Sequence, residues 1–322
     1  MNMNLDAFIG QKGLVATLKK ALIRPFHAYI FEGEKGLGKK LLAMTFSKQV
    51  LCEKKIACGV CKSCRLFDAL THPDFKIIKR DEDKKEISID AIREIIKDIS
   101  RGPIFASKKV YVIQEAEEMS TSAQNALLKT LEEPPEYALF ILTCNNLERL
   151  LPTVVSRSLV LSFKRYSSSE ISEILKSHGF EPKDYVLKLC RGNPKIALDF
   201  YDKEVQNKRD YIFDKLLSYD GASFSLIKEF ESDFEKFKDD FAFLFETVVY
   251  FLRDALMFKK TNHVELITNT DKLEKIVEFA NKHTISHIYR LLQDFMMLEK
   301  YPDANVISDN VLDMIFLKLS GG

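Results

Sequence analysis

Gly33-Glu34-Lys35-Gly36-Leu37-Gly38-Lys39-Lys40 is the stretch whose reading decides the fold of this chain. It follows the phosphate-binding pattern G-x-x-x-x-G-K-[ST] at every position but the last, where Lys40 replaces Ser or Thr. Upstream, Ala28-Tyr29-Ile30-Phe31 is a short strand-like apolar run. Downstream, Leu41, Leu42, Met44 and Phe46 open a helical pattern. Strand, Gly-rich turn and helix in that order set successive backbone N–H groups at a helix N-terminus, where phosphate is favoured. Gly33, Gly36 and Gly38 thus form a candidate cradle, and Lys39 is placed to reach outer phosphates. The hydroxyl missing at Lys40 is the one that normally holds Mg²⁺.

A P-loop ATPase also needs an acidic residue at the end of a neighbouring apolar strand, to hold the hydrated metal. Val110-Tyr111-Val112-Ile113 is such a strand, but Gln114 follows it, and only then Glu115. Both protein groups expected at Mg²⁺ are therefore replaced, one of them by a cation. This argues against metal-dependent hydrolysis and predicts no Mg²⁺ site. Nucleotide binding stays open, because the backbone cradle and Lys39 remain.

Cys52, Cys58, Cys61 and Cys64 are spaced C-x5-C-x2-C-x2-C. Such crowding points to metal in a reducing compartment and not to a secreted disulfide framework. Four thiolates in this reach fit a closed, tetrahedral, structural zinc site. An iron–sulfur cluster is the rival, but the fourth cysteine lies upstream and no proline follows Cys64. Cys144 and Cys190 stand alone and are expected as small core residues.

The 322 residues suggest two or three domains, and 46% hydrophobic with 30% charged residues suits a soluble protein with an ample core. Lys+Arg of 48 against Asp+Glu of 47 gives no global charge that would argue for nucleic acid. Met1–Asp6 has no apolar signal core, and no apolar run approaches a membrane span, so a cytoplasmic protein without membrane contact is expected.

Helical pattern covers residues 1–26, with Leu14, Leu18, Ala21 and Leu22 on one face. Further strands are expected at Phe75–Ile78, Ala138–Leu142 and Leu159–Leu161. Ser88–Ile99 is an amphipathic helix capped by Ser88, and Ser120–Glu133 a second one ended by Pro134-Pro135. Strands alternating with helices to about residue 164 imply a three-layer α/β domain with a mainly parallel sheet. Beyond Ser167 the strand signals stop. Short helices are expected near 168–177, 185–189 and 196–201, then longer ones at 211–217, 241–258, 273–280, 285–298 and 306–319. The charge-rich piece at 229–240 is expected as a solvated helix face.

The P-loop and cysteine cluster are followed by Val110-Tyr111-Val112-Ile113-Gln114-Glu115-Ala116 and by Ser122-Ala123-Gln124-Asn125-Ala126-Leu127-Leu128-Lys129-Thr130-Leu131-Glu132-Glu133-Pro134-Pro135. Leu142-Thr143-Cys144-Asn145-Asn146 and Leu151-Pro152-Thr153-Val154-Val155-Ser156-Arg157-Ser158 come next. Together these resemble the AAA+ clamp-loader subunits of bacterial DNA polymerase III over at least residues 1–200. The resemblance implies an AAA+ P-loop NTPase domain over 1–164 with a zinc module at 52–64. A small helical lid over 165–205 and an all-α collar over 206–322 would follow. It also implies DNA replication as the setting, with γ/τ and δ subunits as partners in a hetero-oligomeric ring, and the sliding clamp and primed DNA reached through that ring.

Within that family γ/τ is the ATP-hydrolysing motor, and another subunit is a rigid stator that does not hydrolyse ATP. The damaged Mg²⁺ site, and a chain ending soon after the collar, point to the stator. Ser156-Arg157-Ser158 stands where the family has Ser-Arg-Cys, which implies that Arg157 is an arginine finger acting in trans on a neighbour's ATP. Asn145 falls near the sensor-1 position, and Lys195 near sensor 2, where the family carries arginine. A motor-type ATPase using Glu115, and a stand-alone zinc-bearing DNA-binding module, are the competing readings. Without the resemblance, Arg157 is a surface arginine ending a loop before a strand.

Overall fold

The computed structural model describes residues 4–218 and 241–298. The charge-rich piece at 229–240 and the helix expected over 306–319 lie outside these residues. The chain forms two compact units, one within Met1–Ser177 and Gly192–Lys195, the other within His178–Arg191 and Ile196–Gly322.

In the first unit β1 (Ala28–Glu32), β2 (Phe75–Ile78), β3 (Lys109–Ile113), β4 (Ala138–Cys144) and β5 (Leu159–Ser162) form one sheet. Its order is β2-β3-β4-β1-β5, and every ladder in it is parallel. Parallel strands need crossovers, and helices in the crossovers cover both faces, so the central strands read as unbroken apolar runs. β3 and β4 are buried along their whole lengths, whereas β5, at the edge, is half exposed.

Of the helical pattern expected over residues 1–26, the described residues from 4 onward form a helix only as α1 (Lys12–Ala21). Gly10 (φ 76°) and Gln11 (φ 49°) are left-handed and start the helix late. α2 (Lys39–Leu51) packs against β1, β3 and β4, its Phe46 meeting Tyr29 edge-on at 5.5 Å. Leu5 is buried and donates its N–H to Gln49 Oε1 at 2.7 Å, so the residues before α1 pack against α2 in irregular form. The short α3 (Lys62–Asp68) follows the cysteine cluster.

One face of the sheet carries α4 (Ile89–Ile99) and α5 (Thr121–Glu132). Ile92, Ile95 and Ile99 pack there with Leu127, Leu131, Tyr111 and Phe140 in one apolar cluster. Each such isoleucine stabilises the unit by about 1.5–3 kcal/mol when fully buried. Ser88 Oγ accepts from Ala91 N at 3.4 Å and caps α4, and Ser120 Oγ accepts from Ala123 N at 3.2 Å at the start of α5. The single turn α6 (Pro152–Val155) leads into β5, and α7 (Ser168–Ser177) follows it.

In the second unit α8 (Asp184–Leu189) and the later part of α9 (Pro194–Asp199) precede α10 (Lys203–Ser218), α11 (Phe241–Thr261), α12 (Leu273–Lys282) and α13 (Ile285–Leu298). Phe251 is its pivot, edge-on to Phe213 and Phe279, each at 4.9 Å. Asp254 is fully buried and takes the N–H groups of Thr268 and Asn269 at 3.0 and 2.8 Å. Arg209 forks onto Asp271 at 2.6 and 2.9 Å. These ties fix the turn before α12. No helix among the described residues is long and apolar enough to cross a membrane.

Candidate functional site

The P-loop follows the C-terminal end of β1, the edge of a parallel sheet where ligands bind in open α/β folds. A cleft of about 560 Å³ opens there, lined by Gly36, Gly38, Lys39, Lys40, Gln114, Glu115, Thr143 and Asn145 among others. The structure thus brings together six of the residues expected at cradle or sensor positions, with Gln114. Gly33 is beside them, its N–H bonded to Cys144 O at 3.1 Å. Gly36 has φ 94°, and a Cβ there would lie 2.4 Å from Asn193 Oδ1 and 2.9 Å from Lys195 Cβ. Only glycine suits that close approach. Lys195 therefore lies against the loop, and Asn193 Nδ2 donates to Lys35 O at 2.8 Å.

Lys39 is buried, and burial pulls its ammonium down from the ordinary lysine range against the pull of Glu117. Its Nζ donates to Gly33 O (2.6 Å), Glu34 O (2.7 Å) and Asn145 Oδ1 (2.9 Å). All three ammonium protons are used within the chain. Glu115 is left-handed (φ 50°), and its N–H is held by Thr143 Oγ1 at 3.0 Å. Gln114 Nε2 is buried with no hydrogen-bond partner among the described residues. Lys40 and Gln114, the two replacements at the metal positions, line the same cleft.

Three residues of this cluster are not evident from sequence. Glu117 is buried, and its Oε1 accepts from Asn145 N at 2.7 Å. Burial first, and Glu117 second, push the Cys144 thiol up to about 12. Thr143 and Asn193 are the others. Thr143 lies in the quoted run Leu142–Asn146 without a role of its own, and Asn193 stands just before the helix Pro194–Asp199.

Arg157 lies elsewhere. β5 runs parallel to β1, with Tyr29 opposite Leu159 and Glu32 opposite Ser162. Arg157 precedes β5 and so stands at the N-terminal edge of the sheet, whereas the P-loop leaves from the C-terminal edge. At about 3.3 Å per residue the two ends are roughly 20 Å apart. The guanidinium is partly exposed. Its Nη2 pairs with Glu132 Oε1 at 2.6 Å, and its Nη1 donates to Thr153 O at 3.0 Å and Ser156 Oγ at 3.3 Å. Ser158 Oγ turns inward, onto Val154 O at 2.9 Å.

The cysteine cluster joins the end of α2 to α3. Sγ atoms of Cys52, Cys58, Cys61 and Cys64 lie within 4.8 Å of one another, Cys58 and Cys64 at 4.0 Å. Four sulfurs about 2.3 Å from one ion would be about 3.8 Å apart in a tetrahedral shell, so the set fits a metal. Backbone N–H groups point at the sulfurs, Cys58 N to Cys52 Sγ at 3.5 Å and Cys61 N to Cys58 Sγ at 3.4 Å. Burial pushes the Cys52 thiol up, but N–H donors of Cys58, Ile56 and Lys54 outweigh it and bring it to about 6. Burial drives Cys64 the other way. Cys144 and Cys190 are buried and stand apart from this set, as expected.

Ser63, His72 and Asp74, behind the cluster, have the residue types of a hydrolytic triad but the wrong proton order. Asp74 N donates to His72 Nδ1 at 3.0 Å, so His72 Nε2 carries the proton. Ser63 Oγ is 2.8 Å from His72 Nε2 and gives its own proton to Leu51 O at 2.7 Å. The Asp74 carboxylate instead accepts Ile104, Phe105 and Ala106 N–H at 2.6, 2.7 and 2.7 Å. This is a structural tie, not a nucleophile and base.

A family model described as "DNA polymerase III, delta subunit" matches residues 10–167. The DNA polymerase III subunit delta' of Pseudomonas aeruginosa is 32% identical over 64% of this chain and 66% of its own length. That of Bacillus subtilis is 27% identical over 92% of this chain and 91% of its own. The B. subtilis subunit tau is 28% identical over 83% of this chain, which spans only 52% of it. The P-loop on a five-strand parallel sheet, the four-cysteine insert and the helical region after it occur together with these likenesses. The chain belongs to the clamp-loader family of DNA polymerase III, and its first unit is an AAA+ P-loop domain.

Proposed function

We propose that the chain is a delta'-type stator of the clamp loader, which offers Arg157 to ATP bound by an adjacent motor subunit. On this reading residues 1–164 are the AAA+ domain, 165–205 the lid and 206–322 the collar that joins a ring with γ/τ and δ subunits. The ring opens the sliding clamp and places it on primed DNA during replication, in the cytoplasm.

The observation that carries the reading is the position of Arg157. At the sheet edge opposite the P-loop it cannot serve its own cleft, so any phosphate it meets belongs to another subunit. A guanidinium there stabilises the charge that builds on a transferring phosphoryl group. Lys40 and Gln114 in the chain's own cleft support the other half, because they stand in place of the hydroxyl and the carboxylate that hold Mg²⁺ in P-loop ATPases. Likeness to the delta' subunits of P. aeruginosa and B. subtilis, 32% and 27% identical, agrees. The four cysteines hold zinc, whose part is to shape the loop between α2 and α3; no chemical step uses it.

A motor-type reading draws on the likeness to tau and on Lys39 and Glu115 in the cleft. Steady-state hydrolysis by the isolated chain separates the two. The stator reading expects no ATPase above background and nucleotide binding, if measured, that is insensitive to Mg²⁺. Robust Mg²⁺-dependent turnover that disappears in Glu115→Gln would move the chain to the motor class.

A further inference from the structure

We infer that Glu132 is a counter-ion that restrains Arg157, so that a neighbour's phosphate must take the guanidinium from it. This rests on the proposed trans role of Arg157 and adds a regulation to it.

Arginine carries five N–H donors in a fixed fork. Both protons of Nη1 are used on Thr153 O and Ser156 Oγ, which anchor the side chain to its own short helix. Glu132 Oε1 forms an ion pair with Nη2 at 2.6 Å. Nε–H has no hydrogen-bond partner among the described residues, and with Nη2, whose charge partner is Glu132, it forms the side of the fork left to an anion. Arg157 is thus already aimed by groups other than Glu132. What Glu132 adds is charge: it neutralises the cation, and its carboxylate repels any phosphate oxygen that approaches the open side.

The two partners come from different elements. Glu132 is the last residue of α5, and Arg157 lies just past α6. Their side chains are 48% and 34% exposed, so the pair can part without uncovering core. An exposed pair of this kind is weak enough for a phosphate to displace, while a phosphate offers the fork a better anion. Glu132 acts through Arg157 and is a positioning residue.

The test uses the reconstituted clamp loader with clamp and primed DNA, measuring ATP hydrolysis over a range of ATP concentrations. Glu132→Gln keeps the size and the acceptor and removes the charge. It should raise kcat roughly two- to fivefold, the span of an exposed ion pair. KM for ATP should stay unchanged, since the finger acts mainly on the transition state. In an Arg157→Ala background the same change should do nothing. Glu133→Gln, at a carboxylate with no ion pair among the described residues, should also do nothing. A fall or no change in kcat for Glu132→Gln, while Arg157→Ala slows hydrolysis, would overturn the restraint and leave the finger standing. An equal gain from Glu133→Gln, or a gain that persists without Arg157, would reduce it to a general charge effect and overturn it too. Loss of thermal stability or assembly in Glu132→Gln would make the residue structural and overturn the restraint as well. If Arg157→Ala has no effect, the trans reading itself fails.

Discussion

Gly36→Ala tests the closure of Asn193 and Lys195 over the P-loop. Left-handed backbone costs a residue with a Cβ about 1–2 kcal/mol, and Gly36 has φ +94°. The added methyl would lie 2.4 Å from Asn193 Oδ1 and 2.9 Å from Lys195 Cβ, so Asn193 has to move. That displaces Nδ2 from Lys35 O (2.8 Å) and Oδ1 from Lys195 N (3.0 Å). Each net hydrogen bond is worth about 0.5–1.5 kcal/mol. The substitution should therefore destabilise the first unit by about 2–5 kcal/mol. Asn193→Ala alone should cost about 1–3 kcal/mol. In the double variant the bonds are already gone, and Gly36→Ala adds only its backbone part and the close approach to Lys195 Cβ. The pair should then cost less than the sum of the singles by about 1–3 kcal/mol. Hydrogen exchange at the protected amides of β1 and α2 reports on the first unit alone and can be read in the whole chain. Strict additivity, or a neutral Gly36→Ala, would refute the packing of Asn193 on the loop.

Metal analysis of protein purified under reducing conditions without chelator should find about one zinc per chain, and Cys64→Ser should lose it together with stability of the first unit. Iron, or no metal, would contradict this. Asp98 is raised by burial but lowered more by hydrogen bonds from Tyr111, Lys76 and Lys109, so its folded carboxyl titrates below the ordinary range. Its contribution is present above the unfolded value near ~4 and is lost as pH falls through the folded value. Asp98→Asn should cost about 1–3 kcal/mol at neutral pH and flatten the acid limb of the stability curve; parallel limbs in wild type and variant would contradict that.

The parallel sheet is legible because strands buried on both faces leave unbroken runs such as Val110–Ile113 and Ala138–Leu142, and the P-loop marks the end of a further strand, β1. The cysteine spacing is equally plain, since the four thiols are local in sequence. What escapes is whatever depends on a backbone turn or on distant partners. Glu115-Ala116-Glu117-Glu118 looks like an exposed acidic run, yet the left-handed Glu115 starts a tight turn that carries Glu117 into the core. Gly192-Asn193-Pro194 announces a helix entry but not the loop its amide will pin. The pairing of Glu132 with Arg157 links the end of one helix to the second residue past another, and no spacing rule connects them. The start of α1 is hidden for a similar reason. Apolar residues before Gly10 follow a helical period, but Leu5 is used in packing against α2.

The central claim, that Arg157 serves another subunit's ATP, is tested most directly by Arg157→Ala in the reconstituted loader. The side chain is partly exposed and, apart from the exposed pair with Glu132, its contacts are local, so the variant should fold normally and still enter the complex. Arginine fingers contribute on the order of 10³–10⁵ in rate at the site they face, and a ring with several sites dilutes that loss. ATP hydrolysis and clamp loading should fall by about tenfold or more. Arg157→Lys should recover only part of it, because lysine offers a point charge and not a planar fork. An alanine variant that assembles and loads clamps at the wild-type rate at every ATP concentration would contradict the account.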